Sequence, residues 1–171
     1  MLKKLLVISA FALTLQACGT VAFHPPVHPL AAHKIQDFEV TGAVKIDNEQ
    51  ASDTPVILHS YGGTKFQSNY KEVTNTMVSQ ANAELERHGK SNNRGAEKRI
   101  GLKVTHLHSN YIAFFWKGSM TYTVTLGESE SFDLTVNHST GMNAQQNLSG
   151  AIADGVVALF HDNRVQAYLK N

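Results

Sequence analysis

A single cysteine, Cys18, excludes an intramolecular disulfide, so the fold must be stabilised by packing. Charge is equally sparing: fifteen Lys and Arg face fourteen Asp and Glu. A balance so close to neutral argues against nucleic acid or an anionic surface as the main partner of the whole chain. There is no Gly-x-Ser-x-Gly elbow and no Gly-Lys-Ser/Thr ending of a phosphate loop, and the carboxylates are scattered. There is no internal repeat, no coiled-coil heptad and no apolar run of the roughly 20 residues a spanning helix needs. Proline is confined: three of the four lie in Pro25, Pro26 and Pro29.

The N-terminus has the parts of a secretory signal. Lys3 and Lys4 supply the positive start, Leu5 to Leu15 the short apolar run, and Ala17 the small residue before a cut. Leu15-Gln16-Ala17-Cys18 resembles a bacterial lipobox, although Gln16 stands where that motif has a small residue. The resemblance implies cleavage after Ala17 and acylation of Cys18. It also implies the periplasmic face of the outer membrane, because Gly19 replaces the Asp that retains such proteins at the inner membrane. The alternative is an ordinary secretory signal cut near Ala17, which leaves a free thiol. Three acyl chains on Cys18 would anchor the chain to the bilayer stably, since two already suffice. The signal takes two basic residues and no acidic one, so its removal turns a formal +1 chain into a −1 domain of 154 residues. That length can bury one real core.

Residues 18–33 read as the lipidated cysteine followed by a proline-rich linker, and residues 34–171 as one periplasmic domain. Phe38, Val40, Val44 and Ile46 alternate with polar residues, which predicts a strand. Pro55 to His59 predicts a second, ended by a turn at Tyr61-Gly62-Gly63. Asn69 with Glu72 predicts a helix start, Tyr70, Val73, Met77, Ala81 and Leu85 form its apolar stripe, and Gly89 stops it. Three more strands follow. Ile100, Leu102, Val104 and His106 share a face of the first; Phe114, Trp116, Met120, Tyr122, Val124 and Leu126 share a face of the second; Phe132, Leu134 and Val136 belong to the third. Ser109-Asn110 and residues 127–131 serve as hairpin turns. A second helix runs from about Asn143 to Phe160, with Gly150 and Gly155 letting it lie close to the sheet, and Val165, Tyr168 and Leu169 form an apolar tail. The order β-β-α-β-β-β-α predicts an α+β two-layer sandwich with an antiparallel sheet and both helices on one face. This order, with the lipobox and linker, resembles the small outer-membrane lipoproteins of the YajG type.

His106, His108 and His138 suggest a metal site. Apolar matching pairs Val104 with Trp116 and Leu134 with Val124. It thereby sets His106 beside Phe114 and His138 beside Met120, too far apart to share an ion. His24, His28 and His33 read as solvated linker residues. Tyr61-Gly62-Gly63-Thr64 reads as a turn rather than a phosphate cradle, and Trp116 and Tyr122 read as packing. Leu107, Ala113 and Phe115 have the parity of the outer sheet face and form an expected partner patch. The sequence is therefore read as a lipid-anchored binding or accessory module, for an envelope protein or a cell-wall component, with no catalytic residues, no metal and no cofactor. A small-ligand or metal-binding lipoprotein is the alternative.

Overall fold

A computed structural model describes residues 19–27, 29–92, 95–128 and 130–171. The strands are β1 (Gly19–Ala22), β2 (Phe38–Val40), β3 (Val44–Asn48), β4 (Pro55–Tyr61), β5 (Thr64–Asn69), β6 (Gly89–Ser91), β7 (Lys98–Ile112), β8 (Phe115–Leu126) and β9 (Glu130–Thr140). The helices are α1 (Tyr70–His88), α2 (Ala144–His161) and α3 (Asn163–Lys170).

The molecule is an α+β sandwich. A sheet in the order β1-β5-β4-β7-β8-β9, with β3 also on β7, forms one layer, and β2 pairs with β6 in a separate ribbon. The expected all-antiparallel sheet is corrected: β1 runs parallel to β5, and both β3 and β4 run parallel to β7. β3 and β4 share one edge of the 15-residue β7. β3 takes Lys98 to Leu102, and β4 meets β7 at Ser109. Between them, side chains replace a strand. The Val104 N–H donates to Thr74 Oγ1 at 3.0 Å, and its carbonyl accepts from Gln50 Nε2 at 2.7 Å. Among the described residues no buried side-chain nitrogen or oxygen lacks a partner.

α1 begins as its sequence requires. Asn69 Oδ1 accepts from the Glu72 N–H at 2.8 Å, and Val73, Met77 and Ala81 bury one stripe. α1 ends where Gly89 turns to extended backbone, at a point where a Cβ would lie 2.6 Å from the Leu85 carbonyl oxygen. Asn143 caps α2 in the same way. Leu148, Ile152, Val156, Leu159 and Phe160 close over Leu102, Val104, Met120, Tyr122 and Val124 of the sheet. Tyr122 donates its buried hydroxyl to the Gly155 carbonyl at 2.8 Å, and burial pushes the phenol well above its ordinary pKa, so it stays a neutral donor. The expected tail is a third helix. Asp162 caps it, held as a carboxylate below its usual range by Arg164, and Val165 and Leu169 reach the core.

Two registers differ from expectation. β7 carries a bulge at Thr105, since Val104 faces Tyr122 while His106 faces Thr121. The extra residue inverts the alternation beyond it. Leu107 then points into the core opposite Met120, and β7 continues to Ile112, so the turn is Ala113-Phe114 and not Ser109-Asn110. On the other side Leu134 faces Tyr122 and His138 faces Gly118, two residues from the expected match.

The expected linker is also part of the domain. Residues 19–22 form β1 on β5, Phe23 and Ile35 are buried, and the Phe23 N–H donates to the Gln67 carbonyl at 2.7 Å. Thr76 Oγ1 donates to the Pro25 carbonyl at 3.1 Å, and the Leu30 N–H donates to the buried Glu84 carboxylate at 2.9 Å. His24 pairs with Glu72. The proline-rich segment is therefore a strap across α1.

Candidate functional site

Two features could carry function: an apolar end of the sheet and a groove beside α2.

The sheet end is built by register. Gly19 faces Thr64, Thr64 faces Tyr61, the Tyr61 and Tyr111 rings lie 5.0 Å apart, Tyr111 faces Trp116, and Trp116 faces Thr140. One row thus crosses six strands. Its rings continue inward: His59 meets Trp116 edge-on at 4.9 Å and Phe66 at 5.8 Å. Such edge and tilted contacts are the preferred geometries for aromatic pairs. Beneath the row sits Asn147, fully buried in the first turns of α2. Its Nδ2 donates to the carbonyls of Trp116 at 2.9 Å and His138 at 3.2 Å, and its Oδ1 accepts from Ser109 Oγ at 2.7 Å. One amide therefore ties α2 to β7, β8 and β9. Gly118 makes room for it, because a Cβ there would lie 2.5 Å from Asn147 Oδ1.

Beyond the row the β7–β8 hairpin projects. Ile112 and Phe115 are exposed, Phe114 is 84% exposed, and Met142 beside them is 70% exposed. Ala113 and Phe114 both have positive φ, 48° and 72°. Paired positive φ values are what a two-residue hairpin turn requires, but Asn and Gly usually supply them.

The groove has a volume of about 670 Å³. The strap forms one wall through Pro26, Pro29, Leu30 and Lys34, and the outer side of α2 forms the other through Gln146, Ser149 and Ala153. His138 reaches it from β9, with Nδ1 2.8 Å from Asp154 Oδ2. Its ring lies against Gly150, where any Cβ would collide with it. Gly150 therefore admits the imidazole, while Gly155 gives Met120 the close approach expected of a small residue on α2. A polar pair, three glutamines (Gln80, Gln145 and Gln146) and an apolar strap suit a small molecule with both apolar and hydrogen-bonding surface.

The expected site residues are divided. Ala17 and Cys18 lie outside the described residues. The expected patch of Leu107, Ala113 and Phe115 is corrected. Leu107 is 1% exposed and faces Met120, whereas Ala113 and Phe115 belong to the exposed tip. The histidines also pair differently from expectation, His106 with Thr121 and His138 with Gly118. His106 and His108 face the outer side of the sheet and His138 faces α2. Among the described residues no group of three or more His, Cys, Asp or Glu could hold a metal ion, and no helix is long and apolar enough to cross a membrane. The Tyr61–Thr64 segment is the expected turn, with Gly62 and Gly63 at positive φ. Asn147 and the groove pair His138–Asp154 were not singled out by pattern. No spacing marks either: Asn147 stands beside Leu148 in the buried stripe of α2, and His138 and Asp154 are sixteen residues apart.

No family model matches the chain, and no curated protein matches it. Two solved structures are similar in chain path. Protein XCC0632 from Xanthomonas campestris, family-model DUF330, is 15% identical with a TM-score of 0.48, over 88% of this chain and 94% of that one. The hypothetical protein CT253 from Chlamydia trachomatis is 8% identical with a TM-score of 0.39, over 78% of this chain and 98% of that one.

Proposed function

We propose that the protein is a lipoprotein of the YajG type, held by acylated Cys18 at the periplasmic face of the outer membrane. It would act there as a non-catalytic binding or accessory module for the envelope. The observation that carries this reading is the lone cysteine at the end of a short apolar run that starts with two lysines and ends in Ala17. Gly19 favours the outer membrane over the inner. The fold is compatible with a short tether, since strand β1 starts at the residue after Cys18.

The test is metabolic labelling with palmitate in a Gram-negative host, followed by density separation of the membranes. The wild-type chain is expected to take up label and to sediment with the outer membrane. Cys18→Ser is expected to take up none and to leave that fraction. Equal labelling of the two chains would reject the reading.

A second reading, a small-ligand carrier, rests on the groove with its His138–Asp154 pair. Mass spectrometry of small molecules that co-purify with the protein is its check. A bound species is expected with the wild type and lost with Ala153→Trp, which fills the groove. An identical yield from both proteins would remove the groove from consideration.

A further inference from the structure

We infer that the hairpin end of the sheet is a second, non-covalent membrane contact, which rests on the lipid surface beside the anchor. The inference depends on the lipidation of Cys18 proposed above, and it adds an orientation that the anchor alone does not supply.

Gly19 lies in the row that ends in Tyr111, Trp116 and Thr140, and β1 runs inward from it. The described chain therefore begins at the hairpin end of the sheet. Consecutive Cα atoms are about 3.8 Å apart, so an acylated Cys18 brings the lipid headgroups to the level of this row. β1 is paired with β5 along its whole length, and Phe23 behind it is buried, so no free spacer intervenes. The Ala113-Phe114 turn extends two residues past the row, about 7 Å for extended chain. That matches the roughly 5–10 Å to which interfacial apolar side chains enter a bilayer.

Composition agrees. Of the eight large apolar residues exposed among those described, Tyr61, Ile112, Phe114, Phe115 and Met142 lie at this end. The segments that build it, residues 19–21, 59–66, 108–119 and 137–143, contain none of the fourteen carboxylates and do contain Lys65 and Lys117. A carboxylate-free apolar surface with a few lysines is compatible with lipid headgroups, and tyrosine and tryptophan favour that depth. The backbone points the same way. Placing Phe114 at positive φ costs energy that glycine would avoid, and such strain persists where the side chain is used. A protein partner seated on this tip would have to occupy the space into which the anchor draws the bilayer.

The test uses the full chain, lipidated in the cell and reconstituted into vesicles of phosphatidylethanolamine and phosphatidylglycerol. Acylation consumes the only thiol, so Phe114→Cys and Glu128→Cys each give one site for a fluorescent label. Glu128 lies at the opposite end of the 12-residue β8, about 40 Å away. The label at 114 is expected to be quenched several-fold by nitroxide-bearing lipid, and the label at 128 to be unaffected. Ile112→Cys takes the place of the first variant if the turn does not tolerate it. A label at the tip that remains open to iodide in water overturns the inference. So does one shielded from iodide but untouched by the lipid quencher, which would mean a protein or a second copy on the tip. Palmitate incorporation, read on the same preparations, separates the two failures. A labelled Cys18 with an unquenched tip rejects this contact alone, and an unlabelled Cys18 rejects the anchor and the contact together.

Discussion

Asn147→Leu is expected to lower the unfolding free energy by about 3 kcal/mol, although leucine has nearly the same size and α2 gains a better helix former. The loss follows from three hydrogen bonds. Ser109 Oγ is fully buried and donates to Asn147 Oδ1, while Asn147 Nδ2 supplies the carbonyls of Trp116 and His138. Leucine leaves the hydroxyl without its acceptor and removes one donor from each carbonyl. A buried polar group left unmatched costs about 1–3 kcal/mol, which exceeds anything an apolar contact returns at that spot. Ser109→Ala should lose less, and the double variant should lose less than the two single ones combined, because the orphaned hydroxyl is then gone. Urea unfolding measures this through the midpoint, with the slope unchanged if only native packing is affected. A loss below about 1 kcal/mol would show that water or a shifted backbone satisfies Ser109. The same amide holds the strands behind the exposed hairpin, so local hydrogen exchange in residues 109–118 should quicken more than in α1.

How far the sequence could be read depended on how local each signal was. The helices were legible because a cap and a stripe sit within one segment: Asn69 with Glu72, then Val73, Met77 and Ala81. The sandwich followed from the apolar parity of β8, where Met120, Tyr122, Val124 and Leu126 are all buried. The parallel pairings were not legible, since alternation reports which face is buried and not which neighbour lies alongside. β1 and β5 were missed because Gly19–Ala22 and Thr64–Asn69 each hold one large apolar side chain, too few to alternate. The bulge at Thr105 had the largest consequence. It moved Leu107 from the expected patch into the core and turned His106 outward, and nothing in Val104-Thr105-His106 marks an extra residue. The turn was misplaced for a related reason. Ser109-Asn110 has the composition of a turn, whereas Ala113-Phe114 adopts positive φ against its preference. Of the expected patch, Phe115 and Ala113 remain at the surface. Both lie just past the row that holds Gly19, Tyr111 and Trp116.

Glu84→Ala is expected to cost about 3 kcal/mol and to free the strap while the sandwich stays folded. Glu84 lies in the α1 face beneath residues 24–34, and its carboxylate is almost wholly buried. It accepts from the Leu30 N–H at 2.9 Å and from Arg87 Nη1 at 3.3 Å, and lies 3.5 Å from His88 Nε2. Arg87 closes the loop by donating to the Leu30 carbonyl at 3.1 Å. Alanine would leave the Leu30 N–H unmatched and Arg87 with one partner fewer at the strap. Glu84→Gln retains an acceptor for Leu30, so about half the loss should return. Phe23 and Ile35 remain buried at the two ends, which confines the opening to the stretch between them. Hydrogen exchange at Leu30 should therefore accelerate strongly, while Leu102 and Val124 in the sheet keep their protection. The functional consequence is specific. Pro26, Pro29 and Leu30 form a wall of the groove, so any co-purifying small molecule should be lost from Glu84→Ala. β1 and its pairing to β5 lie outside the freed stretch, so the palmitate labelling and the hairpin contact proposed above should not change. Loss of the molecule with retention of the anchor would assign the strap to the groove. Loss of both would mean that Glu84 holds the whole N-terminal segment, β1 included.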